Sequence, residues 1–212
     1  MFIKISYRIA ILSFEKKSVN VELPLNAEDK QLLMDMLQYV RDSQDNELAE
    51  QNGLRPAVGI AAIQLGIPKK MLAVVVPDEE GNSQEFALAN ARIVSESVQL
   101  SYLKNGEGCL SVEKEHQGLV PRHARITVKA YDLLQDKEIT IKASDYLAIV
   151  LQHEIDHFSG TLFYDRINQN DPCMPKKTAS SSNNARQTSI FLCSSQMIHA
   201  YIKMHAQIAF IF

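Results

Sequence analysis

One pentapeptide, HEIDH, constrains the fold of this chain more than any other part of its sequence. On an α-helix, residues four positions apart project from one face, so His153 and His157 can share a single cation. The preceding residues 146–151 are apolar almost all round, and this pattern predicts a buried helix from about 145 to 158. Two imidazoles and a carboxylate are costly to bury without a ligand. We therefore predict a metal site in which Glu154 serves as an acid or base.

A third protein ligand decides which class of metal site this is. Phe163 stands where metzincin proteases carry a third histidine, and no glutamate follows Glu154, although a thermolysin-like site needs one. Asp165 and Asp171 are candidates of the kind that other HExxH proteases use. Cys109 is the better candidate, because it lies in the segment EGCLS, whose glycine permits a tight backbone and whose serine can anchor a strand end.

Composition favours a single globular domain in a reducing compartment. The chain has 212 residues, of which 46% are hydrophobic and 22% charged, and its net charge of -3 gives no basic surface for nucleic acid or membrane. Its three cysteines, Cys109, Cys173 and Cys193, are too few for a disulfide framework. Residues 1–14 lack the long apolar run and the cleavage site of a signal peptide, and we expect a plain strand there.

Sequence periodicity predicts the other elements. Asn26 is typical of an N-cap before an amphipathic helix over 27–43, and the polar stretch 43–56 is predicted to be a loop. Ser144–Asp145 is typical of a capped helix start, and Gly160 of a helix stop. Alternating and β-branched segments predict strands 71–76 and 86–90 joined by a turn at 80–82, a partly exposed strand over 93–100, and a hairpin joining 126–130 to 139–141.

Strands followed by one central helix predict an α+β fold, with antiparallel sheets packed around the metal-binding helix. We expect residues 1–172 to form a single catalytic domain and residues 173–212 an atypical, partly disordered C-terminal extension. Within that extension, the low-complexity sequence at 178–189 predicts a linker. Polar residues interrupt the apolar stretch 190–212, which favours a packed helix or an extension over a membrane span.

A third motif, AVGIAAIQ, ends in Gln64. Its small residues allow another backbone or a ligand to approach closely, and the Gln64 amide can donate a hydrogen bond to a carbonyl oxygen. Taken in order, AVGIAAIQ, EGCLS and HEIDH resemble the three motifs of peptide deformylases, G-Φ-G-Φ-A-A-x-Q (Φ apolar), E-G-C-L-S and H-E-x-x-H. The resemblance spans about residues 22–171, and the motif spacing is similar to that of the longer, Gram-positive-type members.

The resemblance implies an enzyme that hydrolyses the N-formyl group from the initiator methionine of newly made bacterial or organellar proteins. It implies an α+β fold and one divalent metal ion, natively Fe²⁺, with Zn²⁺ or Ni²⁺ as substitutes. We expect a cytoplasmic or organellar monomer whose partners are N-formylmethionyl nascent peptides and the ribosome, with no direct sequence-specific binding of nucleic acid and no membrane association.

The resemblance also implies a role for each residue that matches a motif. Glu154 would be the general base and then the acid that protonates the leaving amine. The Gln64 side chain and the Leu110 backbone N–H would stabilise the oxyanion, and Gly59 would lie beside the substrate backbone. The metal ligands would be Cys109, His153 and His157, and the methionine pocket would involve Val58, Ile149, Val150 and His153.

Three positions depart from the family pattern. Ala57 replaces the first glycine of the first motif, which matters if that backbone needs a positive φ or if the methyl group meets the substrate. Ile63 stands where Pro or Thr is common, and Ala91 where Pro is usual. Two alternatives therefore stand beside a deformylase: a broader HExxH metallopeptidase with another third ligand, and a non-catalytic deformylase-like paralogue.

Other charged and imidazole groups lie near the EGCLS segment. We expect Arg122 to pair with Glu107 and so hold the segment that carries Cys109. His116 and His123 are each isolated on a predicted loop, so we expect them to be solvated or hydrogen-bonded and assign them no ligand role.

Overall fold

A five-stranded antiparallel sheet, held between two helices, forms the framework of the computed structural model, which describes residues 17–78 and 80–173. The expectations for residues 1–14, 178–189 and 190–212 lie outside the described residues. Three helices are described: α1 (Ala27–Gln44), α2 (Asn46–Asn52) and α3 (Asp145–His157). The strands are β1 (Gly59–Ala61), β2 (Met71–Pro77), β3 (Ser83–Glu96), β4 (Leu100–Ser101), β5 (Arg122–His123), β6 (Arg125–Asp132) and β7 (Lys137–Ser144).

The large sheet has the strand order β1-β2-β3-β6-β7, and each neighbouring pair is antiparallel. The strands β4 and β5 form a separate two-stranded sheet. Both predicted hairpins are present, since β2 pairs with β3 and β6 pairs with β7. The predicted α+β class, with antiparallel sheets, is confirmed, and α3 packs against the large sheet.

The apolar side chains of β2 divide between two cores, one on each face of the sheet. Met71, Ala73 and Val75 pack with the buried face of α1, as alternation along a strand requires. The intervening residues of β2 pack with α3 and with β3, β6 and β7. This burial on both faces places α3, and the polar groups that it carries, in the interior.

Helix α1 begins where the sequence predicts. The Asn26 side chain accepts a hydrogen bond of 2.8 Å from the Asp29 N–H, which satisfies one of the unpaired donors at the helix start. The predicted stripe is buried: Leu33, Met36 and Leu37 are each 0% exposed.

Two features of α3 differ in detail from the sequence prediction. Ser144 occupies the N-cap position, but its side chain makes no capping hydrogen bond, and Asp145 has a φ of 52°. Ser144–Asp145 thus marks the helix start, as predicted, but not through a side-chain capping hydrogen bond. The Asp145 N–H instead donates to the Ala124 carbonyl over 3.2 Å, so packing against the β5–β6 connection fixes this helix start. The helix ends at His157, and Gly160, with a φ of 78°, donates its N–H to the His157 carbonyl.

Two predicted boundaries were also wrong. Residues 43–56 are not all loop, because α2 forms there, with the Asp45 carboxylate accepting from the N–H groups of Glu47 and Leu48. Its sequence, NELAEQN, has no buried residue, so hydrophobic periodicity could not indicate it. The segments 86–90 and 93–100 are not separate strands either, since β3 runs unbroken to Glu96 and absorbs two register shifts.

We expect Leu37→Ala to lower the free energy of unfolding by about 2–5 kcal/mol, the usual cost of emptying a fully buried leucine site. Urea unfolding followed by circular dichroism measures the change. Met34→Ala is the matched control, because Met34 lies on the same helix with 37% of its side chain exposed. Equal losses in the two variants would contradict the assignment of Leu37 to the core.

Candidate active site

Three buried side chains converge at the end of α3. His153 and His157 lie near the C-terminus of that helix, with ring centroids 4.9 Å apart, and Cys109 lies in the loop between β4 and β5. The Cys109 Sγ is 3.5 Å from the Nε2 of His157. One nitrogen from each imidazole and the sulfur all lie within 4.8 Å of one another. A thiolate and two imidazoles this close suit one Zn²⁺ or Fe²⁺ ion.

The aspartates that the sequence left open as third ligands do not belong to this donor group. The Asp165 carboxylate accepts a hydrogen bond of 2.9 Å from the Leu162 N–H at the start of a short 3₁₀ helix, Phe163–Arg166. Asp171 is exposed. Within residues 17–78 and 80–173, Cys109 is the third donor that accompanies the two histidines.

Glu154 is buried beside the donors, against the backbone of Gly59. A Cβ atom added to Gly59 would lie 2.6 Å from the Oε1 of Glu154, so a larger residue at position 59 would displace the carboxylate. The other oxygen, Oε2, has no hydrogen-bond partner among the described residues. Burial raises the pKa of Glu154 to about 7. A metal ion held by the thiolate and the two imidazoles, with a water molecule bound to it, would give this unsatisfied oxygen a partner.

Gln64 lies on the 3₁₀ helix Ala62–Leu65, and its amide is oriented by three contacts. Its Oε1 accepts a hydrogen bond of 2.8 Å from the Ala61 N–H. Its Nε2 therefore faces the other way, where it donates to the Ser111 Oγ over 3.2 Å and lies 3.5 Å from the Cys109 Sγ. The structure thus brings the donor end of Gln64 to the site, as the sequence predicts.

A narrow cleft opens onto the donor group. One wall is the backbone before and within β1, and the other is the loop that carries Cys109 and Leu110. The residues that line it are Ala57, Val58, Gly59, Gln64, Cys109, Leu110, His153 and Glu154.

The residues predicted to form a methionine pocket do not all line the cleft. Val58 lines the cleft. Val150 is 0% exposed and packs in the apolar core between α3 and the sheet, and Ile149 is 3% exposed on the same helix. Neither of these two is among the residues that line the cleft.

Ala57 does not strain the backbone at the position where glycine is usual. It is not among the described residues with a positive φ, so this position requires no left-handed conformation. Its N–H donates to the Ser43 Oγ over 3.1 Å, and its carbonyl accepts from the Gln44 Nε2 over 2.9 Å. Its side chain is buried with the α1 core. The conformational reason for expecting Ala57 to impair the site is therefore absent.

A buried chain of charges supports His153 from behind. The Glu107 Oε2 lies 2.8 Å from the His153 Nδ1. Because an ionised carboxylate only accepts, Nδ1 carries the proton and Nε2 is left for a metal ion. Arg122, 1% exposed, donates to both oxygens of Glu107 over 2.8 and 2.7 Å, so the predicted Arg122–Glu107 pair is confirmed.

The pKa values of these groups follow from their contacts. Burial alone would raise the pKa of Glu107, but hydrogen bonds from Arg122 and His153 bring it down to about 2. Burial alone would lower the pKa of His153, whereas its hydrogen bonds with Cys109 and Glu107 raise it to about 10. The pKa of His157 is well below its usual value, because of burial and the neighbouring charge of His153.

Three supporting residues were missed from the sequence. Asp156 accepts hydrogen bonds from Arg122 over 2.5 Å and from Arg166 over 2.5 and 2.6 Å, so the charge chain runs from His153 to the surface. Phe163 stacks on the ring of His153, with centroids 6.4 Å apart and planes 17° apart. An aspartate inside HEIDH and an arginine ten residues later were the available indications, but neither spacing points to a partner.

His116 and His123 are not in the group of Cys109, His153 and His157. His123 lies on β5, so its predicted place on a loop is wrong. The His116 ring stacks on Tyr164, with centroids 4.4 Å apart. The His123 Nδ1 lies 2.6 Å from the Ser97 carbonyl oxygen, and its Nε2 lies 3.3 Å from the Glu96 carboxylate.

We expect Glu107→Gln to weaken metal binding about 10- to 100-fold, the usual cost of losing a carboxylate that orients a histidine ligand. Competition with a chromophoric chelator, with Ni²⁺ as the ion, measures the dissociation constant. Glu113→Gln is the control, because Glu113 is exposed on the same loop. Unchanged affinity in Glu107→Gln would show that Glu107 does not set the donor geometry.

Two imidazoles, a thiolate and an adjacent buried carboxylate at the floor of a cleft define a metal-dependent hydrolase. The family model described as Polypeptide deformylase matches residues 6–172, and the chain belongs to that family. A peptide deformylase of Oceanobacillus iheyensis is 51% identical over 160 residues, which cover 76% of this chain and 87% of the relative. Peptide deformylase 2 of Geobacillus stearothermophilus is 50% identical over 160 residues, with coverage of 76% and 86%. The predicted likeness to Gram-positive-type members is confirmed.

Solved structures agree with this assignment. The crystal structure of peptide deformylase from Ehrlichia chaffeensis aligns with a TM-score of 0.58 and 32% identity, covering 74% of this chain and 83% of that chain. A probable peptide deformylase from Synechococcus phage S-SSM7 aligns with a TM-score of 0.55 and 29% identity, covering 74% and 93%. In the part of the chain that the structure describes, no helix combines the length and apolar character that crossing a bilayer requires.

Proposed function

We propose that this chain hydrolyses the N-formyl group from the initiator methionine of newly made proteins. The observation that best supports this proposal is the buried Glu154 carboxylate. It packs on Gly59 beside the donor group of Cys109, His153 and His157. Membership of the deformylase family supports the reaction, and Glu154 lines the same small cleft as Cys109 and His153.

In the proposed mechanism, Cys109, His153 and His157 hold one divalent metal ion. When bound, such an ion acts as a Lewis acid that polarises a carbonyl oxygen and lowers the pKa of water. Glu154, which lines the same cleft as Cys109 and His153, would accept a proton from the attacking water molecule. The same carboxyl group then delivers that proton to the leaving amine, so that formate and a free amino terminus result.

The oxyanion that develops on the formyl carbonyl needs fixed hydrogen-bond donors. The Gln64 amide is oriented for this by the Ala61 N–H, and the Leu110 backbone N–H would be the second donor. Gly59 leaves room for Glu154, and with Val58 it gives the substrate backbone and the methionine side chain a surface to lie against. Ile149 and Val150 would contribute to the methionine pocket from beneath, through the packing of α3.

The remaining expectations belong to the same proposal. Fe²⁺ would be the native ion, replaceable by Zn²⁺ or Ni²⁺, because thiolate and imidazole donors suit all three. We propose a monomeric catalytic domain over residues 1–172, which acts on nascent chains at the ribosome, in the cytoplasm or an organelle, and we assign residues 173–212 to a separate extension.

Formate release from formyl-Met-Ala-Ser tests the function. The protein is purified without oxygen and loaded with Fe²⁺ or Ni²⁺, and free formate and the new amino terminus are measured together. We expect both in equal amounts from the formylated peptide and neither from the acetylated one. Cleavage of internal peptide bonds without formate would instead indicate the broader metallopeptidase, and inactivity of the metal-loaded protein would indicate the non-catalytic paralogue.

A further inference from the structure

Arg55 joins the two walls of the cleft. It lies two residues before Ala57 on the β1 wall, and its NH1 donates a hydrogen bond of 2.8 Å to the carbonyl of Leu110 on the opposite wall. Its backbone is held separately, because the Tyr39 hydroxyl on α1 donates to the Arg55 carbonyl over 3.3 Å. The side chain thus extends from a fixed backbone to the loop that carries Leu110.

Most of the Arg55 guanidinium is available to a ligand. A guanidinium carries five N–H donors and accepts nothing, and one of these donors is used by Leu110. Arg55 is exposed, and among the described residues it forms no salt bridge. A cation with spare donors at the edge of a peptide cleft is suited to carbonyl oxygens.

The strand β1 indicates the direction in which a peptide would lie. It is the first strand in the order of the large sheet, and no described strand pairs with its outer edge. An extended peptide can add to such an edge through its main chain. Arg55 precedes Gly59 by four residues, which is about 13 Å of extended chain, and the proline that follows Arg55 favours an extended conformation there.

We propose that Arg55 binds a main-chain carbonyl of the substrate within the three residues that follow the formylated methionine. This inference rests on the proposed function, because it places the formyl group beside Glu154 and Gly59. This contact would explain how an enzyme with a small cleft distinguishes a formylated peptide from a single formylated amino acid. Arg55 would therefore be a determinant of peptide length, acting mainly on substrate binding.

The test compares formyl-Met-amide, formyl-Met-Ala-Ser-amide and formyl-Met-Ala-Ser with the Ni²⁺-loaded wild type, Arg55→Gln and Arg55→Lys. We expect Arg55→Gln to lose about tenfold or more in kcat/KM on both tripeptides, through a higher KM, since hydrogen bonds to charged groups are worth at least that factor. On formyl-Met-amide we expect less than a twofold change. Arg55→Lys should retain part of the tripeptide rate, because it keeps the charge.

Arg92→Gln is the matched control, since Arg92 is an exposed arginine on β3 and is not among the residues that line the cleft. An equal loss on all three substrates would overturn the proposal, because Arg55 would then act only by holding Leu110. A loss confined to the free acid would overturn it as well, since the contact would be with a terminal carboxylate. No loss on any substrate would have the same consequence.

Binding separates this inference from the proposed function. In a Glu154→Gln background loaded with Ni²⁺, calorimetry gives the dissociation constant of formyl-Met-Ala-Ser-amide with and without Arg55→Gln. A tenfold weakening supports the role of Arg55 even if the wild type releases no formate, which would refute only the proposed reaction. Equal dissociation constants alongside normal formate release would refute only the role of Arg55.

Discussion

The Glu154→Gln enzyme should keep its metal and lose about 10²–10⁴-fold in kcat for formate release, the range that one positioned acid or base contributes. Glutamine has nearly the same shape as glutamate, so it fits in the space against Gly59. That space is tight, since a Cβ atom at position 59 would lie 2.6 Å from the Oε1 of Glu154, but this variant keeps Gly59. What it removes is the ability to accept a proton from water and to return it to the amine. The loss should therefore appear in kcat, with a smaller change in KM.

The measurement pairs formate release with metal analysis of the same preparation. Glu138→Gln serves as the control, because Glu138 is exposed on β7 and is not among the residues that line the cleft. A Glu154→Gln enzyme that retains the wild-type kcat would exclude Glu154 as the proton carrier. Loss of the metal together with activity would instead make Glu154 a structural part of the donor group.

The periodic part of this fold could be predicted from the sequence, because the elements bury one repeating face. Helix α1 and the two hairpins follow that pattern. Helix α2 does not, since Asp45 and Gly53 define its ends through capping and none of its residues is buried. Helix α3 starts at Asp145 as predicted, but the hydrogen bond from its first N–H to the carbonyl of Ala124, distant in sequence, could not be predicted.

The candidate site also has one part that the sequence predicts and another that depends on the folded chain. The donors Cys109, His153 and His157 could be found because their residue types and spacing are uncommon and chemically specific. The need for glycine at position 59 could not be predicted. The atoms nearest to a Cβ added there belong to Glu154, which is 95 positions away in the sequence, rather than to another part of the same motif. Long-range partners of this kind depend on how β1 packs against α3, and no local pattern encodes that packing.

The charge chain behind His153 was only half predictable for a related reason. Glu107 begins the EGCLS segment, Arg122 follows the segment by eleven residues, and the two have opposite charges, which made their pairing a reasonable expectation. Asp156 then joins Arg122 to Arg166, which lie 34 and 10 positions away from it in the sequence, and no local pattern indicates these contacts. A line of two carboxylates and two guanidinium groups, buried at Glu107 and reaching the surface at Arg166, is a property of the folded chain.

Cys109→Ala should weaken metal binding more than Glu107→Gln does, because it removes one of the three protein ligands. Removal of a residue that only orients a ligand weakens metal binding about 10- to 100-fold. The two histidines stay in place on α3, so the fold should persist with a weak, two-ligand site. Loaded with Co²⁺, the wild type should show a sulfur-to-metal charge-transfer absorption, and Cys109→Ala should lack it. Formate release at micromolar metal should fall in parallel.

Cys173→Ala is the appropriate control, because Cys173 is exposed and lies outside the donor group, so this variant should retain both the absorption and the activity. The outcome also decides between the classes that the HEIDH segment leaves open. If Cys109→Ala binds metal as tightly as the wild type, another residue is the third ligand, and Asp165 or Asp171 would have to move from its described position to supply it. If Cys109→Ala loses most of its metal affinity, the thiolate is a ligand. The donor set is then one that neither the metzincin nor the thermolysin type of site contains.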